Sequence, residues 1–148
     1  MKGAETFLPL YKLFHMALPT LHQVDNYALP ELLAPRVSKE HGYTKKQGQD
    51  LVREAKRMLY LHAVTRKPVS PSLHVDMAWH EMLMFTKFYK EFAKFITVFV
   101  HHNPTPGPPD GGKTYEATKK LYEETFKKNL IRNTGRKKTP FGAFFTIE

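Results

Sequence analysis

Asp76 and His80 stand one helical turn apart in the run Pro71-Ser72-Leu73-His74-Val75-Asp76-Met77-Ala78-Trp79-His80, and His101-His102-Asn103-Pro104 offers a second imidazole pair further along. Helix positions four apart face the same way, so the carboxylate and the first imidazole can act on one object. First-row divalent metals take imidazole nitrogen and carboxylate oxygen, and zinc and iron both fit this donor set. A fold-back of the chain lets His101 or His102 supply a third ligand. His62, on the inner face of the preceding helix, would be a fourth. Three protein ligands and a water make an open site that can activate the water, whereas four make a closed structural site. Ligation needs neutral imidazole, so binding should weaken below about pH 6.

Plainer roles stand beside this one. Asp76 could hold the His80 ring by a hydrogen bond, or help cap the turn that follows Ser72. An Asp–His pair is also half of a nucleophile triad, with Ser72 or Thr86 as the third member, but no Gly-x-Ser-x-Gly turn accompanies it. The two-His helix of zinc proteases does not fit, because Glu81 is followed by Met82, Leu83 and Met84. The residues thus define a site and leave the reaction open. Whether the protein is an enzyme is undecided at this level.

The elements that must position these residues read as helices, and the fold class is all-α: a compact bundle of four to five helices around one core. Pro9 to Leu18 makes a lead-in helix ended by Pro19. Glu31 to His41 makes another, stopped by Gly42 in the C′ position. Thr44 and Gln47 form a capping-box pattern and open a helix running to about His62, with the stripe Leu51, Ala55, Met58 and Leu59. Ser72 caps a central helix spanning about Ser72 to Lys94. Its stripe holds Val75, Trp79, Met82, Leu83, Thr86, Tyr89, Phe92 and Ala93, so Trp79 should be buried and Asp76 and His80 should border the core. Ile96 to Val100 is rich in β-branched residues and reads as extended. Asn103 to Gly112, dense in proline and glycine, is a loop. Tyr115, Thr118, Leu121, Tyr122 and Phe126 mark a last helical stripe.

The 148 residues suit one domain, and 41% hydrophobic and 13% aromatic residues suffice for a core without staples. The absence of cysteine excludes disulfides, thiolate metal sites and a cysteine nucleophile. No run is long and apolar enough to cross a bilayer, and the N-terminus lacks a secretory layout. These features lead to the expectation of an intracellular protein, with cytoplasm and organelle lumen not distinguished. The net charge of +9 is uneven: from Lys127 onward, Lys127, Lys128, Arg132, Arg136, Lys137 and Lys138 face only Glu148. Such a tail suits an acidic protein surface, a larger assembly or RNA. Phe141, Phe144 and Phe145 would add buried anchors. No RNA-recognition signature is present, so sequence-specific readout is not expected.

Several blocks in order resemble a known family. The run Glu54-Ala55-Lys56-Arg57-Met58-Leu59-Tyr60-Leu61 resembles a Tyr-Lys-Arg-Phe-Leu-Tyr-Leu signature. It is followed by Pro71-Ser72, Val75-Asp76, Trp79-His80, Leu83, Thr86, Tyr89, His101-His102, Pro104, Leu121-Tyr122 and Phe126. Together these are similar to the glycine-rich domain-containing-protein-like family, over roughly residues 32–128. The resemblance implies that Asp76, Trp79, His80, His101 and His102 form one cluster, with Tyr60 and Tyr89 in its structural surround, and implies no reaction. The chain departs from the pattern at Met82, where many members carry a histidine, and at Thr97, where a glycine is usual. The organisation expected is a lead-in at 1–31, a helical domain at 32–128 and a basic aromatic tail at 129–148. The expected function is a small helical structural or interaction protein. Its Asp/His cluster holds a divalent metal, and its tail docks on an acidic partner. The alternative is a hydrolase-like metal enzyme using Asp76, His80, His101 and His102.

Overall fold

The structure is a computed structural model and describes residue 9, residues 18–103 and residues 110–134, with side chains as far as Lys127. Six helices are present among the described residues: α1 Leu21–Asp25, α2 Leu33–His41, α3 Lys45–Thr65, α4 Leu73–Met84, α5 Thr86–Phe95 and α6 Lys113–Thr134. No strand occurs among the described residues, so the protein is all-α. Two features raise the helix count above the expected four or five. One is the short α1, and the other is a break in the expected central helix. The lead-in helix expected at Pro9 to Leu18 falls almost wholly outside the described residues, as do most of the Pro/Gly-rich loop and the basic tail.

Local chemistry sets the helix ends. Thr20 and Gln23 form a capping box that starts α1, and Thr44 and Gln47 form the one that starts α3. Each box satisfies two otherwise orphaned backbone donors. Gly42 takes φ +73° at the end of α2, a left-handed cap that glycine adopts without penalty, and the Tyr43 amide returns to the Ser38 carbonyl at 3.0 Å. Ser72 accepts the Val75 amide at 3.1 Å and opens α4. Asp110 accepts the amides of Gly112 and Thr114 just ahead of α6.

The expected continuous helix from Ser72 to Lys94 is interrupted at Phe85, whose φ of −92° and ψ of 70° leave the helical region. Packing explains the interruption. The turn between α4 and α5 re-aims Phe88 and Phe92, which meet Tyr27 at ring-centroid distances of 6.0 and 5.2 Å. Ring pairs of this kind contribute about 0.5–1.5 kcal/mol each beyond the area they bury, which offsets the irregular backbone at Phe85.

Helix α3 is the axle of the fold, since α1, α2, α4 and α6 all pack against it. Thirteen of its 21 residues are buried, which means that it is enclosed on most sides and not merely on one stripe. Leu51, Ala55, Met58 and Leu59 are all buried, as the stripe required. Helix α2 approaches α3 closely at Gly48, where a Cβ would lie 2.8 Å from the Ala34 carbonyl oxygen and 2.0 Å from Ser38 Oγ. On the other side, Tyr122 and Phe126 of α6 enter the same core, and the Ser70 amide donates to Thr118 Oγ1 at 2.9 Å. No helix among the described residues is long and apolar enough to cross a membrane.

Candidate metal centre

Past α5 the chain turns at Ile96 and Thr97, the start of the segment expected to be extended, and runs back along α4 through Val98 to His102 with no regular element. Thr97 sits at φ +68°, a region that β-branched residues strongly resist, and its buried Oγ1 has no hydrogen-bond partner. A clamp fixes the returning segment. Trp79 Nε1 donates to the Tyr89 hydroxyl at 3.2 Å, and that hydroxyl donates to the Val100 carbonyl. Both rings are buried, with Trp79 only 7% and Tyr89 only 3% exposed. Burial raises the Tyr89 hydroxyl pKa above its ordinary value, with the Trp79 hydrogen bond working against that rise. It therefore stays a neutral donor.

This clamp places His102 beside α4. His102 Nε2 lies 2.8 Å from Asp76 Oδ1. Its ring meets the Trp79 indole edge-on at a centroid distance of 4.5 Å and crosses the His80 ring at 88° and 4.9 Å. Each of Asp76, His80 and His102 offers one ligand atom, and the three atoms lie within 4.8 Å of one another. Donor atoms around a tetrahedral zinc with bonds of about 2.0–2.1 Å are spaced about 3.3 Å apart. An ion could therefore enter after side-chain adjustments of order 1 Å. The His102–Asp76 hydrogen bond would give way, and the ligating ring nitrogen would be the one without a proton.

The surroundings are asymmetric. The His102 side chain is 8% exposed and that of Asp76 38%, while His80 is open to solvent. The cluster is thus walled on one side by Trp79 and open on the other.

Not every residue expected at the site joins it. His101 is exposed and turns its ring to Phe99, with centroids 4.8 Å apart. His62 faces the loop after α3, where its Nδ1 donates to the Lys67 carbonyl at 2.8 Å. Neither belongs to the three-residue group. Tyr60 stacks on Phe126 at 5.9 Å and donates to the Pro19 carbonyl, which places it in the contact between α3, α6 and the chain before α1. Tyr89 and Trp79 do stand behind the cluster. Of the tail, the Lys127 side chain is described; Lys128 and Arg132 fall in α6 with only their backbone described, and Arg136, Lys137, Lys138, Phe141, Phe144 and Phe145 lie outside the described residues.

Other polar contacts were not evident in the sequence. His41 and Arg36 both meet Glu81, His41 at 3.2 Å. The Tyr43 hydroxyl meets His74 Nδ1 at 2.5 Å. Deeper still, α3 carries an ionic network. Arg57 Nε and Nη2 donate to the two carboxylate oxygens of Asp25, each at 2.8 Å. Arg57 Nη1 reaches Glu54 at 3.2 Å and the Tyr122 hydroxyl at 3.1 Å, and that hydroxyl donates to Glu54 at 2.7 Å. Burial pushes the Glu54 carboxyl above its ordinary pKa, with Arg57 and Tyr122 pulling the other way. Next to it, the Lys56 ammonium donates to the carbonyls of Val24, Asp25 and Tyr27 at the end of α1. Burial lowers the Lys56 pKa to about 8. Charges at Glu54, Lys56 and Arg57 resemble a solvated helix flank in sequence. Only the tyrosine and aspartate that meet them reveal otherwise.

A family model described as UCP032817-like matches residues 20–145, which is most of the chain, so the chain belongs to that family. The match corrects the resemblance to the glycine-rich domain-containing-protein-like family. That resemblance rested on short helix and turn blocks, and what it implied about a shared cluster falls with it. The grouping of Asp76, His80 and His102 stands on its geometry alone. No curated protein and no solved structure matches the chain.

Proposed function

We propose that this member of the UCP032817-like family is a small helical interaction protein that holds one divalent metal ion through Asp76, His80 and His102. The observation that carries the reading is the meeting of one carboxylate and two imidazoles, from two separated segments, with ligand atoms within 4.8 Å. The donor set suits zinc or ferrous iron. The Trp79–Tyr89 clamp supports it, because oriented imidazoles bind metals more tightly than free ones. The test is elemental analysis of untagged full-length protein after dialysis against zinc. About one ion per chain is expected. His102→Ala should weaken binding on the order of 100-fold or more, since loss of even an outer partner costs 10–100-fold. A stoichiometry near zero in the wild-type protein overturns the reading.

The cellular role proposed for the rest of the chain is docking. Six cations from Lys127 to Lys138, followed by Phe141, Phe144 and Phe145, suit an acidic protein surface, a larger assembly or RNA. Charge would govern encounter and salt sensitivity, and the phenylalanines would anchor the contact. A chain ending at Lys128 is expected to lose association with its partner, as read by co-purification at low salt, while its melting curve stays close to that of the full chain. Undiminished association would remove the tail from the role.

A further inference from the structure

We infer that the ion at Asp76, His80 and His102 keeps one coordination position facing solvent and takes a small monodentate anion there. This inference rests on the metal-binding reading and goes beyond it by naming the class of ligand. Three features lead to it. The first is the number of donors. Among the described residues only three side chains converge. His101 is turned to Phe99 and His62 to the Lys67 carbonyl. Residues 103–109, which follow His102 directly, include no histidine, cysteine, aspartate or glutamate. A four-coordinate ion held by three protein ligands completes its shell with an exogenous one.

The second feature is direction. Trp79 covers the His102 side, and the exposed groups are His80 and Asp76. The missing vertex therefore points outward, away from the indole. The third is charge. One carboxylate neutralises half of a divalent ion, so the centre retains about one positive charge, and the bound ion is the largest local charge in such a site. An anion entering the open position cancels the remainder, which a neutral ligand cannot do. A single open vertex, facing solvent, takes a ligand that donates one atom.

The test uses full-length untagged protein loaded with Co(II), whose visible d–d absorption reports coordination, and azide as the anion. One Co(II) per chain is expected, with a spectrum that changes saturably on azide addition and does not change with an equal concentration of a neutral amide. In His102→Ala the Co(II) band itself should vanish, which separates this centre from surface histidines. Stoichiometric Co(II) whose spectrum is indifferent to azide overturns the open position and leaves the metal site standing. Failure of Co(II) to bind overturns both. An azide response that survives in His102→Ala assigns the effect to another histidine and likewise overturns the inference.

Discussion

Arg57→Ala is expected to lower the unfolding free energy by about 3–5 kcal/mol, the usual result of removing one partner from a buried ion pair. The Arg57 side chain is 7% exposed and the Glu54 side chain fully buried. Without the guanidinium, Glu54 keeps only the Tyr122 hydroxyl and a distant Arg53, 3.8 Å away. Asp25 loses both of its bonds to the fork, and α1 is left tied to α3 by the Lys56 ammonium on its terminal carbonyls. The penalty comes chiefly from stranding the carboxylates, because the desolvation cost of an ion pair largely offsets its attraction. Two companion variants separate these contributions. Arg57→Lys keeps the charge and loses the paired geometry, so it should recover only part of the loss. Combining Arg57→Met with Glu54→Gln removes both charges and should be milder than Arg57→Ala alone. Urea unfolding followed by circular dichroism is the measurement. A loss under about 1 kcal/mol for Arg57→Ala, the level of an exposed pair, would show that the network is solvated.

Trp79→Ala is the second large effect, about 3–5 kcal/mol from the cavity and the lost transfer energy together. It also has a signature at a distance. The indole is the contact partner of His102 and the donor to the Tyr89 hydroxyl, which in turn holds Val100. Truncation therefore frees the segment that carries His102 as well as emptying the core. Trp79→Phe keeps most of the packing and loses the N–H donor, and should cost only about 1 kcal/mol. A melting curve for Trp79→Ala close to that of the wild type would place the indole outside the core and contradict the orientation of α4.

The parts of the fold legible in the sequence are those that a few neighbouring residues decide. Thr44 with Gln47, Gly42 and Ser72 each specify a helix end through backbone groups within a few positions, and each does so in the structure. Trp79 was legible as buried because the stripe around it has helical period. The break at Phe85 was not legible. It depends on Tyr27, which is remote in sequence and meets Phe88 and Phe92 only after folding. The burial of Lys56 and Arg57 was missed for a similar reason: their partners are backbone carbonyls of α1, Asp25 and Tyr122, and no local spacing signals them. At the candidate centre, the pairing of Asp76 with His80 followed from helix geometry. Of the two later imidazoles, His102 joins them and His101 does not. The choice between adjacent residues depends on how the chain leaves Thr97, which composition does not encode.

The conformation of Thr97 has a mechanical consequence. A β-branched residue held at positive φ stores about 1–3 kcal/mol of strain, and a buried hydroxyl without a partner adds to it. That conformation is the left-handed cap of α5, held locally by the Thr97 amide on the Lys94 carbonyl at 3.2 Å and the Val98 amide on the Ala93 carbonyl at 3.1 Å, so the arm bearing His102 leaves the helix from a fixed point and the Trp79–Tyr89–Val100 contacts need only hold its far end against α4.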